Sequence, residues 1–327
     1  MTHYAPLVSV LVTLVLTFIL MTGKTGFIVR DIPNERSLHS TPVPRVGGIA
    51  LMAGVLSGWG LLMPFLAWWV ALPMLMLFAL SLLDDVRNLS PQTRLIGHFI
   101  AALAAVTGAG VSLLWFVPVL LFIVWMTNLY NFMDGSDGLA GGMALFGFGC
   151  YGVGAWLGGN GAFALLNFSV AAAALGFLFF NFYPARVFMG DAGSIPLGFL
   201  AAVFGVSGWQ AGYWPFWFPL LAFSPFIADA TATLLRRAWR GEKLSQAHRG
   251  HYYQRLVQMG WGHRNTAFAE YVLMLLAGTS ALWGASMGNT GQVCLLLGWC
   301  LIYLTLMLWA DKHWREYQSV EKKIGHA

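Results

Sequence analysis

Long apolar runs, separated by short polar segments, constrain the fold of this sequence more than any other feature. A helix needs about 20 mainly apolar residues to cross a bilayer core. Eleven stretches approach that length: 5–22, 46–64, 66–83, 95–111, 112–129, 138–157, 161–181, 194–209, 215–235, 267–286 and 290–310. Only 9% of the residues are charged, against about 25% in a soluble domain. The sequence therefore predicts an all-α, polytopic membrane protein of about eleven transmembrane helices, with residues 1–327 forming a single integral-membrane domain.

The positions of the basic residues predict the orientation of these helices. If the N-terminus lies outside and the helices alternate, the inner segments are approximately 23–45, 84–94, 130–137, 182–193, 236–266 and 311–327. All 18 Lys and Arg residues fall in these segments, as the positive-inside rule requires. We therefore expect a multi-pass protein of the bacterial inner membrane, with a periplasmic N-terminus and a cytoplasmic C-terminus.

The acidic residues lie on the same side as the basic ones. All thirteen Asp and Glu residues fall in the inner segments or within two turns of them. A proton or ion pump usually carries ionisable residues near the middle of the membrane, where this sequence offers at most His98. This distribution favours chemistry at the cytoplasmic face over a transport pathway. A transporter or flippase of a lipid-linked sugar is the alternative from a different class.

The segment that follows the fifth apolar run carries four polar residues at a spacing of three. Asn128, Asn131, Asp134 and Asp137 recur at this spacing, which places them on one face of a helix or helical turn. Carboxylates so close to hydrocarbon are costly. We therefore expect this face to bind a ligand or a metal ion.

Two further acidic clusters lie at the ends of other predicted helices. Asp84 and Asp85 end one helix, where negative charge is unfavourable for the helix dipole and calls for a compensating partner: Mg²⁺, or Arg87 and Arg94. Asp191 lies in a glycine-rich turn that opens another helix, where backbone N–H groups can meet phosphate and the carboxylate can bind Mg²⁺. The alternative to a binding site, for each cluster, is an ordinary structural feature: a salt-bridged turn or a capped loop.

Basic residues in two inner segments complement these acids. Arg45 precedes Gly47 and Gly48, a pattern that suits an anion held near bare backbone. In segment 236–266 we expect one polar edge that faces phosphate, formed by Arg237, His248, Arg249, His251 and Arg255. An acid cluster opposed by such a loop is what a phosphoryl-transfer site needs.

The motifs together resemble the polyprenyl-phosphate N-acetylhexosamine-1-phosphate transferases, glycosyltransferase family 4. The resemblance rests on Arg-x₄-Thr-Pro-x-Pro-Arg-x-Gly-Gly from Arg36, Asp84-Asp85, Asn-x₂-Asn-x₂-Asp-Gly-x-Asp-Gly-Leu from Asn128, Phe-Met-Gly-Asp-x-Gly-Ser from Phe188, and the late His-rich loop. The pattern His248-Arg-Gly-His251 differs from the His-His-His run of the lipid I synthases. The chain is thus more similar to the enzymes that initiate O-antigen synthesis.

The resemblance implies a reaction and a set of partners. A UDP-N-acetylhexosamine and undecaprenyl phosphate would give undecaprenyl-diphosphate-N-acetylhexosamine and UMP, with Mg²⁺ or alternatively Mn²⁺ as cofactor. It implies no nucleic acid partner and permits a homodimer. The particular N-acetylhexosamine is left open.

The resemblance also implies roles for individual residues. Asp191, with Asn131, would bind the metal ion, and Asp84 and Asp85 would serve the metal ion or the lipid phosphate. Phe188 would stack on the uracil, with Asp137 at its polar edge. The diphosphate would be bound by the following group: His248, His251, Arg45 and Arg249. Asn128 and Asp134 would complete the substrate site.

The order of the chemical steps is left open by the sequence. A phosphate monoester has a second pKa of about 6, so the acceptor needs little help from a general base at neutral pH. A two-step route, with Asp84 or Asp85 as a covalent nucleophile, is the alternative. A CDP-alcohol type of phosphotransferase is disfavoured, because Asp137-Gly-Leu-Ala lacks the Arg of that pattern.

The acceptor's prenyl chain needs an apolar groove that opens to lipid. Pro215, Pro219 and Pro225 predict a bend in the run 215–235. We expect this bent helix to shape the groove, with Phe226 facing the lipid chain.

Overall fold

The computed structural model describes residues 1–22, 30–31, 33, 38, 42–243 and 248–324, except for the side chains of 321–324. Most of segment 23–45 and residues 244–247 of segment 236–266 therefore lie outside the described residues, as do Arg36 and Thr41. Two short strands, β1 (Arg30–Asp31) and β2 (Val43–Pro44), pair antiparallel, with Arg30 opposite Pro44. The α-helices of the described residues are α1 (Ala5–Thr22), α2 (Gly47–Gly60), α3 (Trp68–Arg87), α4 (Pro91–Gly108), α5 (Leu113–Phe132), α6 (Leu139–Leu157), α7 (Gly161–Asn181), α8 (Asp191–Gln210), α9 (Phe218–Ala222), α10 (Ser224–Trp239), α11 (Tyr252–Leu256), α12 (Gly262–Ala285) and α13 (Asn289–Ile324).

Each apolar run of the sequence coincides with a helix, or with α9 and α10 together. Within the described part of the chain, eight helices are long and apolar enough to cross a membrane. The prediction of an all-α, multi-pass membrane protein is thus confirmed. Because α2, α4 and the α9–α10 pair fall below that criterion, the count of eleven spans stays a prediction. The orientation of the termini also stays a prediction.

Glycine makes the tight turn between α4 and α5. Gly108 ends α4, and Gly110 has a φ of +63°, a left-handed conformation that glycine adopts without strain. Leu113 then begins α5. Two helices thus become neighbours without a polar loop, as the two glycines of this stretch predict.

Prolines divide the run 215–235 into two helices. Pro219 lies in the first turn of α9 and Pro225 in the first turn of α10, and the chain breaks between them at Phe223. The predicted bend is confirmed, but the expected position of Phe226 is wrong. Its side chain is fully buried and packs edge-on against Tyr130, with ring centroids 5.2 Å apart.

The central helix of the bundle is α8, which is buried along nearly its whole length. It packs against α3 and α5, and also contacts α2 and α6. One buried apolar cluster runs from Ala5 in α1 to Trp299 in α13. The N-terminus of α8 therefore has a fixed position among the ends of its neighbours, and Asp191 lies there. The assignment of the whole chain to one domain stays a prediction.

Gly47 and Gly48 permit a close approach between two backbones. The N–H of Gly47 donates to the carbonyl of Phe188, and that of Gly48 donates to the carbonyl of Met189, both at 2.9 Å. A Cβ on Gly48 would lie 2.5 Å from the Met189 carbonyl oxygen and would also collide with the Gly193 nitrogen. The interpretation of these glycines as an anion-binding backbone is therefore wrong, because another segment of the chain occupies that space.

Candidate active site

One arginine joins the acidic ends of two helices. From the first turn of α4, Arg94 Nη1 donates to Asp84 Oδ2 at 3.1 Å and to Asp191 Oδ2 at 3.2 Å. The other oxygen of Asp84 accepts from the Leu89 N–H at 2.6 Å. The predicted need of the first acid pair for a cation is met by Arg94, and the same cation brings Asp191 into the cluster.

Asp85 reaches the same place from the next position of α3. Its Oδ2 atom accepts from the Ala192 N–H at 3.3 Å, in the first turn of α8. Gly190, immediately before that helix, has a φ of +67°, so the chain turns sharply beside this carboxylate. Adjacent helical residues point about 100° apart, which lets Asp84 bind Arg94 while Asp85 binds the N-terminus of α8.

Asn131 and Asp134, two of the four polar residues at a spacing of three, approach Asp191 from the end of α5. Asn131 Oδ1 accepts from the hydroxyl of Ser194 at 2.9 Å. Burial, and then the negative charge of Asp191, raise the pKa of Asp134 to about 7, and Arg45 opposes this shift. Burial disfavours the ionised form of this carboxyl group, and the neighbouring carboxylate of Asp191 disfavours it further.

Asp137, three residues after Asp134, binds a different segment of the chain. Its Oδ2 atom accepts from the Ala185 N–H at 3.0 Å. The next N–H, of Gly138, donates to Asn181 Oδ1 at 3.0 Å, and Tyr271 donates to the Gly138 carbonyl at 2.7 Å. Two helices and a loop thus hold the Asp137 carboxylate in one place.

These groups surround an open cleft of about 320 Å³ at one end of the helices. Six predicted site residues line it: Arg45, Asn131, Asp134, Asp137, Phe188 and Asp191. Arg45 Nη2 lies 3.3 Å from Asp31 Oδ1, and Asp31 also lines the cleft. The structure therefore brings together the central motif, the Phe188–Asp191 segment and Arg45.

The other predicted residues lie behind this lining or farther away. Asp84 and Asp85 contact the cleft through Arg94 and the first turn of α8. Asn128 is not among the residues that line the cleft, and its amide donates to the Val124 carbonyl of its own helix at 2.7 Å. The structure thus separates Asn128 from the group that the spacing of three predicted.

The two histidines form a stacked pair behind the cleft wall. Their ring centroids are 4.9 Å apart, and the ring of His251 also stacks on Tyr253, which lines the cleft. His251 Nδ1 lies 3.2 Å from Asp229 Oδ1. Because an ionised carboxylate can only accept, Nδ1 donates this bond, and Nε2 is the ring atom left to face another group.

Asp229 also fixes the backbone that carries these rings. It accepts from the N–H groups of Tyr252 at 2.9 Å and Tyr253 at 3.0 Å, at the start of α11. His248 is half-buried, and burial, followed by the charges of His251 and Arg237, lowers its pKa to about 4. His248 is therefore neutral at pH 7.

The predicted polar edge of segment 236–266 is only partly correct. Arg255 Nη1 lies 2.9 Å from Asp311 Oδ1 on α13, so its guanidinium faces away from the cleft. Arg249 follows His248 in the loop, and its carbonyl accepts from Gln258 Nε2 at 3.2 Å. The segment is also more helical than expected, because it contains α11 and the end of α10.

Several residues of the site carry no motif signal. Arg94 and Asp229 lie within helices, and His263 and Gln254 line the cleft from the region of α11 and α12. Arg94 is the exception, because the sequence predicts it, together with Arg87, as a partner of the Asp84-Asp85 pair. The role of Asp229 depends on contact with residues 22 to 24 positions later.

The donor set fits a hard divalent cation. The cleft and its border offer carboxylate oxygens of Asp134, Asp191 and Asp85 and the amide oxygen of Asn131, which are the ligand types of Mg²⁺. No three acidic, histidine or cysteine side chains of the described residues are assembled as a metal site. Because Mg²⁺ usually binds to one or two carboxylates together with water and substrate phosphate, this arrangement still fits the ion.

The fold and the cleft define a multi-pass membrane protein with an acidic site at one end of its helices. The family model for glycosyl transferase family 4 matches residues 65–208. That range includes the Asp84-Asp85 pair, the central motif and the Phe188–Asp191 segment.

Curated relatives resemble the chain over most of its length. A probable undecaprenyl-phosphate N-acetylglucosaminyl 1-phosphate transferase of Bacillus subtilis is 30% identical over 84% of this chain and 83% of its own. A decaprenyl-phosphate N-acetylglucosaminephosphotransferase of Mycolicibacterium smegmatis is 30% identical over 83% of this chain and 78% of its own. An undecaprenyl-phosphate alpha-N-acetylglucosaminyl 1-phosphate transferase of Yersinia pestis is 28% identical over 87% and 82%. The chain therefore belongs to the polyprenyl-phosphate N-acetylhexosamine-1-phosphate transferase family.

Proposed function

We propose that the protein transfers N-acetylhexosamine 1-phosphate from a UDP-sugar to undecaprenyl phosphate and releases UMP. The observation that carries this proposal is the assembly of three acidic motifs around one cleft, with Asp191 joined to Asp84 through Arg94. The names of the relatives support a polyprenyl phosphate acceptor and favour N-acetylglucosamine as the sugar.

In this proposal, the acid cluster binds the metal ion and the cleft binds the nucleotide. Asp191 and Asn131 are the proposed metal ligands, and Asp134 lines the same cleft. When bound, Mg²⁺ neutralises diphosphate charge and stabilises the leaving phosphate. Phe188 offers an aromatic face for the uracil, and Asp137 offers a carboxylate to its polar edge.

The histidine pair is proposed to stabilise the leaving UMP. The bond to Asp229 orients the ring of His251 so that Nε2 of the protonated ring can donate to a phosphate oxygen, and Arg45, which lines the cleft, adds positive charge. Fixed groups of this kind favour the charge that develops in the transition state. Arg249 follows His248 directly and is a further candidate for contact with phosphate.

The hydrogen bonds of Asp84 support direct attack by the lipid phosphate. Both oxygens of Asp84 already accept, from Leu89 and from Arg94, which makes this carboxylate a poor nucleophile. The acceptor phosphate is mostly dianionic at neutral pH and needs no deprotonation. We therefore favour a one-step displacement over a covalent aspartyl intermediate.

The prenyl chain is proposed to lie along the outer surface of the broken pair α9 and α10. Leu220 and Leu235 are exposed on this pair, and they replace the buried Phe226 as the side chains to test.

We propose that the cleft faces the cytoplasm of a bacterial inner membrane. There the product would initiate O-antigen, lipopolysaccharide or a related envelope glycan.

UMP release is the direct test of this proposal. Purified protein would be incubated with Mg²⁺, undecaprenyl phosphate and each of a panel of UDP-N-acetylhexosamines. We expect UMP only when the lipid phosphate and one UDP-sugar are both present, and a loss of about 100-fold or more in Asp191→Ala, because that change removes a charged group at the reacting centre.

The control variant is His3→Ala. His3 is exposed, lies just before α1 and does not line the cleft, so this variant should retain full activity. A folded wild-type protein that releases no UMP with any sugar would contradict the proposed reaction and favour a transporter. Release of UMP in the absence of lipid phosphate would indicate a hydrolase instead.

A further inference from the structure

His263, in the first turn of α12, lines the cleft beside the loop that carries Asp137. Its Nδ1 atom accepts from the Asp137 N–H at 3.4 Å. A backbone N–H can only donate, so Nδ1 carries no proton and also accepts from the Ser136 hydroxyl at 2.8 Å. The proton of the neutral ring then lies on Nε2, which donates to the Leu38 carbonyl at 3.3 Å. A single tautomer satisfies all three contacts.

The ring of His263 also packs against the segment on the far side of Asp137. Its plane lies within 11° of the Tyr183 ring, with centroids 6.1 Å apart. Two residues later, the Ala185 N–H donates to Asp137 Oδ2. His263 therefore connects the two segments that fix the backbone and the carboxylate of Asp137.

The arrangement holds Asp137 without using its second carboxylate oxygen. Asp137 Oδ1 lies 3.9 Å from His263 Nδ1. Both atoms are acceptors in the tautomer described, so no hydrogen bond joins them. Among the described residues, Oδ1 has no hydrogen-bond donor, and it is therefore available to a ligand in the cleft.

We infer that His263 is a positioning residue that orients Asp137 for recognition of the nucleobase of the donor. The inference rests on the proposed function, because it takes a nucleoside diphosphate sugar as the ligand. His263 acts through Ser136, Asp137 and the Tyr183 segment rather than at the reacting phosphorus. Its loss should therefore weaken donor binding and leave the acid cluster around Asp191 in place.

Steady-state UMP release by the full-length protein tests this assignment. In His263→Ala we expect the KM for UDP-N-acetylglucosamine, or for whichever panel sugar is active, to rise about tenfold, the effect of one lost oriented hydrogen bond. The kcat should stay within about threefold of wild type. The KM for undecaprenyl phosphate should not change.

Two further variants separate positioning from a purely structural role. His263→Asn retains a side-chain acceptor near the position of Nδ1 and should recover most of the donor KM, whereas Ser136→Ala removes one of the two donors and should raise it less than His263→Ala. His3→Ala is the matched control. If His263→Ala does not fold, the other two variants carry the test.

The outcomes distinguish this inference from the proposed function. An unchanged donor KM in the His263 variants, in a protein that turns over, overturns the inference alone. The inference is also overturned if kcat and thermal stability fall while both KM values rise, and if His263→Asn restores none of them. If the wild-type protein releases no UMP with any donor, the proposed function fails and the inference fails with it.

Discussion

Arg94 is a single cation between two carboxylates, and this sets the electrostatics of the cleft. Asp84 and Asp191 share its Nη1 atom, while Asp85 and Asp134 lie close by and add further negative charge. A carboxylate that must share its cation is stabilised less than one with a partner of its own. A divalent cation would compensate the remaining charge, which is why we place the metal ion beside Asp191.

At the residue scale, His248 gives a prediction about pH. Its pKa is about 4 in the folded protein, below the usual value of about 6.5. Between these two pH values the unfolded chain binds the extra proton, so protonation favours unfolding. The stability that depends on neutral His248 is complete above pH 6.5 and is lost as the pH falls towards 4.

Thermal unfolding of the wild type and of His248→Gln between pH 7.5 and 4.5 checks this prediction. The wild type should lose stability relative to the variant as the pH is lowered, because glutamine does not titrate. Curves that stay parallel across this range would show that the protonation of His248 is not linked to folding.

Sequence patterns identified the cleft residues whose neighbours are local. Asn131, Asp134 and Asp137 follow one apolar run at a fixed spacing, and the structure places all three at the cleft. Asn128 belongs to the same pattern, but it lies about one turn earlier in α5, where its amide donates to the Val124 carbonyl of the same helix. A spacing of three cannot show where a helix ends, and here α5 ends at Phe132.

Partners that are distant in sequence could not be predicted in this way. Asp229 and His263 have no neighbouring motif, and their contacts form only when α10, α11 and α12 pack. The same limit explains the error at Arg255, because its partner Asp311 lies on the last helix.

At the scale of elements, the N-termini of α2 and α8 meet at a glycine contact. The apolar runs and the Pro219 and Pro225 signals predicted the helices themselves, since hydrophobic length and chain-breaking residues act locally. The contact between α2 and α8 is tertiary, and the Gly47-Gly48 pair gave only a general signal of close approach. That close approach is to the Met189 backbone.

Gly48→Ala is expected to destabilise this contact and to displace Asp191. The new Cβ would meet backbone atoms of Met189 and Gly193, which cannot rotate away as a side chain can. Overpacking of this kind typically costs about 1–3 kcal/mol. We expect a lower thermal midpoint and a reduced kcat in the same UMP assay.

Gly60→Ala, at the other end of α2, is the matched control. A Cβ there would have nothing within 4 Å. Alanine should be neutral or stabilise the helix by roughly 0.5–1 kcal/mol. Equal effects of the two substitutions would mean that the contact with α8 is not tight.

At the scale of the whole molecule, one carboxylate joins the last helix to the histidine segment. Asp311 on α13 accepts from Arg236 Nη1 at 2.7 Å and Nη2 at 2.8 Å, and from Arg255 Nη1 at 2.9 Å. Arg236 belongs to α10 and Arg255 to α11. Most of the remaining surface of α13 is exposed in the described chain, so this cluster is a principal attachment of its C-terminal half.

Asp311→Asn should therefore loosen α13 and disturb the segment that holds His251. The change leaves two guanidinium groups with a neutral acceptor. Because Asp311 is partly exposed, we expect a loss of about 2 kcal/mol, below the 3–5 kcal/mol of a fully buried pair. The thermal midpoint and kcat would be measured with Glu316→Gln, an exposed change on the same helix, as control. Unchanged values in Asp311→Asn would show that α13 is held by other contacts.

The sharing of Arg94 also has a consequence for how the chain enters the bilayer during synthesis. Asp84 and Arg94 lie ten residues apart, so this ion pair can form as soon as α3 and α4 have left the ribosome. Asp191 emerges about a hundred residues later and binds Arg94, which already pairs with Asp84. Once α4 has emerged, the nascent chain therefore carries Asp84 with a counterion, and the binding cleft is completed only when the helix bearing His263 arrives.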